Sequence, residues 1–203
     1  MKKHIIILAA ALFALASCSK SDLKETVYQE DPDYPGLPAY SEMGYNIYGA
    51  YINDKVFHVS SNGGNRPFYL VADREGLSMT FYGWREGINL NMTFTLPIDT
   101  TFVLDDYHDL IALEGMSFNI DTTATACQVK LEGLYAPQIA SIYSGRITFE
   151  KTQQVVVDKE DAEVIVAGKF QFRAFTPNGT QYDVVGGRFD LGVDNTNFVN
   201  FRR

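Results

Sequence analysis

The densest group of hard metal ligands in this chain is Asp105-Asp106-Tyr107-His108-Asp109, with three carboxylates in five residues. Calcium takes roughly six to eight oxygens, often from one turn, so this run could supply part of a shell. It lacks EF-hand spacing and the turn glycine. The same acids also suit a solvated loop or the first turn of a helix, where the macrodipole is positive. The expectation is no bound metal, with Asp105, Asp106, His108 and Asp109 as the candidates; a zinc site would need His58 to approach His108. Paired carboxylates for glycoside hydrolysis must stand roughly 5–9.5 Å apart across a cleft. Glu114, Glu132, Glu150 and Glu163 lie in or beside expected strands, mostly at outward parity, and no pair is distinguished. No Gly-x-Ser-x-Gly elbow occurs. Cys127 alternates with Thr125, Val129 and Leu131 on the buried parity of a strand, where a thiol acts as a small apolar group. Ser61-Asn62-Gly63-Gly64-Asn65 lacks the lysine and following helix of a phosphate loop and reads as a turn. No catalytic residue and no cofactor are expected.

Trp84, the single tryptophan, offers another kind of chemistry. It falls at a hairpin end with Tyr82 on the same outward face, and Asn89 and Asn91 lie across from Tyr82 and Thr80. Aromatic faces stack on sugar rings and amides hydrogen-bond their hydroxyls, so Trp84, Tyr82, Asn89 and Asn91 form a candidate ligand site. The alternative is that the two rings cover a second layer or a neighbouring loop.

The elements that would position these residues are strands. Hydrophobic residues make up 46% of the 203 positions and aromatics 13%, with 16 glycines, a composition that leans toward strands and tight turns. Seventeen basic against 25 acidic residues give a net charge of −8, which argues against a nucleic-acid partner. From about Tyr45 short runs alternate in polarity between Gly, Asn, Asp and Pro punctuation, the pattern of an all-β domain. In Ile88-Asn89-Leu90-Asn91-Met92-Thr93-Phe94-Thr95-Leu96 every even position is apolar. With a turn at Arg85-Glu86, Phe81 faces Leu90, Met79 faces Met92 and Leu77 faces Phe94. Near the carboxyl terminus, Thr176-Pro177-Asn178-Gly179-Thr180 suits a three-residue hairpin loop. Phe172 then pairs with Val184, Arg173 with Asp183 and Ala174 with Tyr182. After Val184 the apolar parity switches, and Gly186-Gly187 is placed to absorb the switch as a bulge.

A third hairpin is expected over residues 45–60 with Asn53-Asp54 as its turn, and further strands over 68–72, 101–104, 115–120, 125–131 and 143–151. Short helical turns are expected at 105–113 and 137–142. Roughly ten strands must cover a common apolar face, so the expected fold is all-β with little helix. A two-layer antiparallel β-sandwich is favoured over a closed or partly open β-barrel.

At the amino terminus, Lys2 and Lys3 precede an apolar run from Ile5 to Ala16. That run spans only about 18 Å as a helix, short of the ~30 Å a membrane span needs, and it reads as a secretory signal. Leu15-Ala16-Ser17-Cys18 resembles the bacterial lipobox, whose cysteine is lipidated and becomes the first mature residue. The expected organisation is a signal peptide over 1–17, lipidated Cys18 with a flexible tether over 18–44, and one β domain over 45–203. Cleavage would leave 15 basic against 25 acidic residues. Ser19-Lys20-Ser21-Asp22 loosely resembles the charged export signal of Bacteroidetes surface lipoproteins, with the periplasmic face as the alternative. Asp99-Thr100-Thr101 and Asp121-Thr122-Thr123 resemble a short Bacteroidetes O-glycosylation motif, which marks Thr100 and Thr122.

Two longer stretches carry a family resemblance. Gly49-Ala50-Tyr51-Ile52-Asn53-Asp54-Lys55-Val56-Phe57 resembles the opening hairpin of small uncharacterised Bacteroidetes envelope lipoproteins of about 200 residues, although those usually have Asn-Gly at the turn. Gly168-Lys169-Phe170-Gln171-Phe172 and Val184-Val185-Gly186-Gly187-Arg188-Phe189-Asp190 are similar to their closing hairpin. The resemblance implies an outer-membrane lipoprotein of β architecture and brings no catalytic residue. The expected role is a non-enzymatic binding or assembly module, held to the membrane by its lipid and meeting glycan or an outer-membrane protein. A polysaccharide hydrolase and a structural subunit of an outer-membrane complex are the alternatives.

Overall fold

A computed structural model of the chain describes residues 28–59, 67–74, 76–98, 102, 104–123, 125–157 and 160–201. The fold is all-β with little helix: a small two-stranded sheet and an 11-stranded sheet curled into an open half-barrel. The small sheet pairs β1 (Glu30–Asp31) with β2 (Tyr34–Pro38). The large sheet contains β3 (Ile47–Ile52), β4 (Lys55–Val59), β5 (Phe68–Ala72), β6 (Leu77–Arg85), β7 (Ile88–Leu96) and β8 (Ser117–Asn119). It is completed by β9 (Gln128–Glu132), β10 (Ser141–Val157), β11 (Glu160–Phe175), β12 (Gln181–Val193) and β13 (Phe198–Asn200).

Its main run is β9-β7-β6-β4-β3-β12-β11-β10-β8. One edge of β6 is shared, since β5 pairs with its first half and β4 with its last three residues. The strands thus join one curled sheet rather than the two sheets of the favoured sandwich, and the partly open barrel describes the arrangement. Curling brings the ends together at one point, the isolated bridge Ile120↔Cys127 between the continuations of β8 and β9.

The period-2 apolar faces all turn inward, which is what curls a sheet around a core. Phe81 lies at the centre, with ring centroids 4.8 Å from Tyr48, 5.9 Å from Phe94 and 5.9 Å from Phe189. Fully burying such a side chain contributes roughly 1.5–3 kcal/mol. A 3-10 helix, Tyr107–Leu113, closes part of the core with fully buried Leu110 and Leu113. The Thr152 hydroxyl donates to the Ile111 carbonyl at 2.8 Å and ties that helix to β10.

The hairpins follow the chain's local chemistry. Asn53 and Asp54 both take positive φ, 48° and 62°, in the two-residue turn between β3 and β4. The closing hairpin pairs Phe172↔Val184, Arg173↔Asp183 and Ala174↔Tyr182, as the turn chemistry predicts. Its register shifts at Gly186-Gly187, where Gly186 has φ 65°. Gly187 is held to glycine by contact, since a Cβ there would come within 2.3 Å of the Phe170 carbonyl oxygen.

The β6–β7 hairpin corrects one expectation. Phe81 pairs with Met92, Met79 with Phe94 and Leu77 with Leu96, two residues away from the predicted register. The turn is Glu86-Gly87, with φ 52° and 78°. A turn at Arg85-Glu86 would ask two non-glycine residues outside the Asn/Asp class to take positive φ, which is unfavourable. A two-residue shift preserves parity, so every apolar side chain still points inward.

Other expectations are corrected. Residues 137–140 are not helical, and β10 begins at Ser141. Residues 102 and 104 are not in a strand, and 101 and 103 lie outside the described residues. The β10–β11 hairpin extends well beyond the 143–151 segment, with pairing as far as Val157↔Glu160. The expected tether lies outside the described residues up to 27, but residues 28–44 are not loose chain. They form β1, β2 and a following segment packed against β12, with Leu37 fully buried. Among the described residues no helix is long and apolar enough to cross a membrane, a statement that does not bear on strands.

Candidate functional site

The strand registers assemble the aromatic site from four neighbouring strands, β4, β6, β7 and β9. Trp84 on β6 faces His58 on β4 and Asn89 on β7. The next outward row runs from Tyr82 through Asn91 on β7 to Glu132 on β9. Trp84 is 37% exposed and Tyr82 42%, so neither covers a second layer and neither is free of contact. The corrected register strengthens the grouping, because each ring now has an amide directly across the strand: Trp84 with Asn89, Tyr82 with Asn91. Farther along the same face, Thr80 and Thr93 hydroxyls meet at 3.0 Å and Ser78 and Thr95 at 3.1 Å, giving a hydroxyl ladder. The Tyr28 ring lies 6.0 Å from that of His58 and borders the patch.

The core holds this surface from below. The buried Tyr48 hydroxyl lies between the backbone carbonyls of Tyr82 and Pro67 and fixes the strand beneath the rings. Burial pushes the Tyr48 phenol far above its ordinary pKa, so it stays a hydrogen-bond donor. Arrangement and composition suit stacking against an apolar ring face flanked by hydroxyls. The surface is the convex outside of the half-barrel, and a cavity lined by Lys130, Glu132 and Pro137 borders its β9 end.

The acidic run does something different. Asp106 caps the 3-10 helix by accepting from the His108 backbone N–H at 2.7 Å, and its carboxylate also meets His108 Nδ1 at 2.9 Å. Asp109 reaches back to accept from the backbone N–H groups of Asp105 and Asp106, at 2.7 and 3.1 Å. These carboxylates satisfy the donors that a helix start leaves open. Among the described residues no group of three or more His, Cys, Asp or Glu side chains is placed to hold a metal ion.

Three of the four glutamates stand in ion pairs with lysines. Glu132 pairs with Lys130 at 2.6 Å, Glu150 with Lys169 at 3.6 Å and Glu114 with Lys151 at 3.8 Å. Glu163 is at outward parity yet buried, its carboxylate packed between Gly44 and Gly192. Cys127 is buried, and burial pushes its thiol up to about 12, which keeps it protonated at neutral pH. Thr122 is exposed beside Asp121, whose carboxyl is held below its usual range by the Thr123 hydroxyl and backbone N–H. Cys18, Thr100 and the Gly63-Gly64 turn lie outside the described residues.

Sequence reasoning missed a buried polar clasp in the closing motif. Arg188 forms an ion pair with Asp31, stacks on the Tyr34 ring at 4.4 Å and donates from Nε to the Gly186 carbonyl at 3.0 Å. Asp190, almost fully buried, accepts from the backbone N–H groups of Met43, Gly44 and Tyr45 at 3.2, 2.7 and 3.2 Å and from the Ser41 hydroxyl. The signal was available in Arg188 and Asp190, two opposite charges at outward parity among the apolar residues of the second half of β12. The clasp is structural: its polar atoms are turned into the protein rather than toward solvent.

No family model, no curated protein and no solved structure matches this chain.

Proposed function

We propose that the chain is an outer-membrane lipoprotein whose β domain binds glycan, without turning it over, on the outer face built around Trp84. The observation that carries this reading is the pair of cross-strand rows His58–Trp84–Asn89 and Tyr82–Asn91–Glu132, on the outer face of the four neighbouring strands β4, β6, β7 and β9. Two aromatic rings two residues apart on a strand stand roughly 7 Å from each other, a spacing that serves neighbouring sugar rings. The amides opposite them offer both donors and acceptors to ring hydroxyls. The anchor rests on the lipobox Leu15-Ala16-Ser17-Cys18. Two or more acyl chains at Cys18 give stable attachment, which a single chain does not.

The unlipidated chain, residues 19–203, is screened on a glycan array and a polysaccharide panel beside Trp84→Ala. Retention by the parent and at least tenfold weaker retention by the variant are expected. Release of reducing ends would overturn the reading in favour of a hydrolase. Absence of retention together with co-purification of a larger outer-membrane complex would favour a structural subunit. For the anchor, Cys18→Ala is expected to move the chain from the membrane to the soluble fraction; an unmodified Cys18 in mass spectra of natively expressed protein would refute it.

A further inference from the structure

The outer face of β10, β11 and β12 carries two adjoining cavities that the Trp84 rows do not reach. One, of about 540 Å³, is lined by Ser144, Arg146, Gln171, Arg173 and Val185 among others. The second, of about 270 Å³, continues from Arg146 and Gln171 past Lys169 to the bulge at Gly186 and Gly187. Together they form one groove with Arg146 and Gln171 at its middle, and its size falls in the range of small-ligand sites.

Register explains the arrangement. Arg146 is flanked across the sheet by Gln171 on β11 and Asn119 on β8. Along its own strand it is flanked on the same face by Ser144 and Thr148, each roughly 7 Å away. The other cations of the groove are already compensated: Arg173 donates to Asp183 at 2.6 Å, and Lys169 faces Glu150 at 3.6 Å. Arg146 has no carboxylate in ion-pair range among the described residues. In a chain of net charge −8, the groove therefore presents one uncompensated, fork-shaped cation ringed by neutral hydrogen-bonding groups.

We infer that this groove binds an acidic saccharide, the Arg146 guanidinium taking the carboxylate of a hexuronic acid and Gln171, Asn119, Ser144 and Thr148 taking its hydroxyls. A planar carboxylate matches the guanidinium fork in two parallel hydrogen bonds. One unmatched cation balances one carboxylate; a dianionic phosphate would bring a charge that Arg173 and Lys169, already paired, do not offset. The amides and hydroxyls around Arg146 both donate and accept, as a sugar's hydroxyls require. Val185, 46% exposed on the groove wall, gives an apolar contact for ring C–H groups. The site is separate from Trp84: β4, β3, β12 and β11 lie between β6 and β10.

The test is calorimetric titration of the full chain in detergent, at about 0.15 M salt where exposed charges are screened beyond ~8 Å. The probes are trigalacturonate, its methyl ester and inorganic phosphate. Saturable binding of trigalacturonate is expected, at least tenfold weaker for the ester and in both Arg146→Ala and Arg146→Gln. Thermal midpoints of the outward-facing Arg146 variants should match the parent. Equal affinity for the ester, unaltered affinity in the Arg146 variants, effective competition by phosphate or no saturable binding would each overturn the assignment. Loss of neutral-glycan retention in Trp84→Ala is read separately, so the two sites stand or fall independently.

Discussion

Arg188 and Asp190 sit two positions apart on β12 and fasten the amino-terminal segment to the sheet through different chemistry, one as a cation, one as an acceptor of backbone donors. Removing one member of such a buried set strands the others without water to replace it. Asp190→Ala is expected to cost about 2–4 kcal/mol, because three backbone N–H groups and a hydroxyl lose their acceptor. Asp190→Asn, which keeps one oxygen in place, should cost less than Asp190→Ala, a difference that urea midpoints at constant m-value will resolve. Trp84 behaves oppositely: a half-exposed ring on a convex surface is dispensable for stability, which makes its substitution a clean probe of binding. Of the residues singled out for chemistry, the aromatics and their amides are brought together. The acids at 105–109 are consumed in capping, a use that Asp-rich runs share with metal sites and that composition does not separate.

At the level of elements, turns were the most readable features. Asn53-Asp54 and the Thr176 to Thr180 loop specify their hairpins because few residue types tolerate positive φ, and the strands on either side follow in register. The β6–β7 turn lies one residue beyond the expected Arg85-Glu86, because Gly87 supplies the positive φ of its second position. The segment 28–44 was misread for a physical reason: its Pro, Gly and Asp content resembles linker composition, and its order comes from Arg188 and Asp190, contributed about 150 residues later in the chain. A chain beginning at residue 45 should therefore unfold at lower temperature than one beginning at residue 28. Loss of the clasp and of buried Leu37 amounts to about 4 kcal/mol, a drop of roughly 10 °C for a domain of this size. Scanning calorimetry of the two truncations decides it, and equal midpoints would return the segment to the status of a tether.

Across the whole molecule, acid sensitivity follows from carboxylates held low in the folded state. Asp183 is lowered by its hydrogen bond from Arg173, Asp121 by the Thr123 hydroxyl, and Asp31 by the Asp33 backbone N–H and by Arg188. Each has a folded pKa below its unfolded one near 3.8, so its contribution is complete above that value and is lost as pH falls through the folded pKa. Thermal midpoints should be flat from pH 7 to about 5 and fall below about 4; a midpoint that rises toward pH 3 would contradict this. The all-β class, the inward faces and two of the three hairpins were legible in the chain because period-2 alternation and turn chemistry act between near neighbours. Whether those strands close as two layers or curl as one sheet depends on pairings such as β3 with β12 and β4 with β6, between segments distant in sequence. No local pattern encodes them, and the same long-range contacts build the clasp, the aromatic rows and the Arg146 groove.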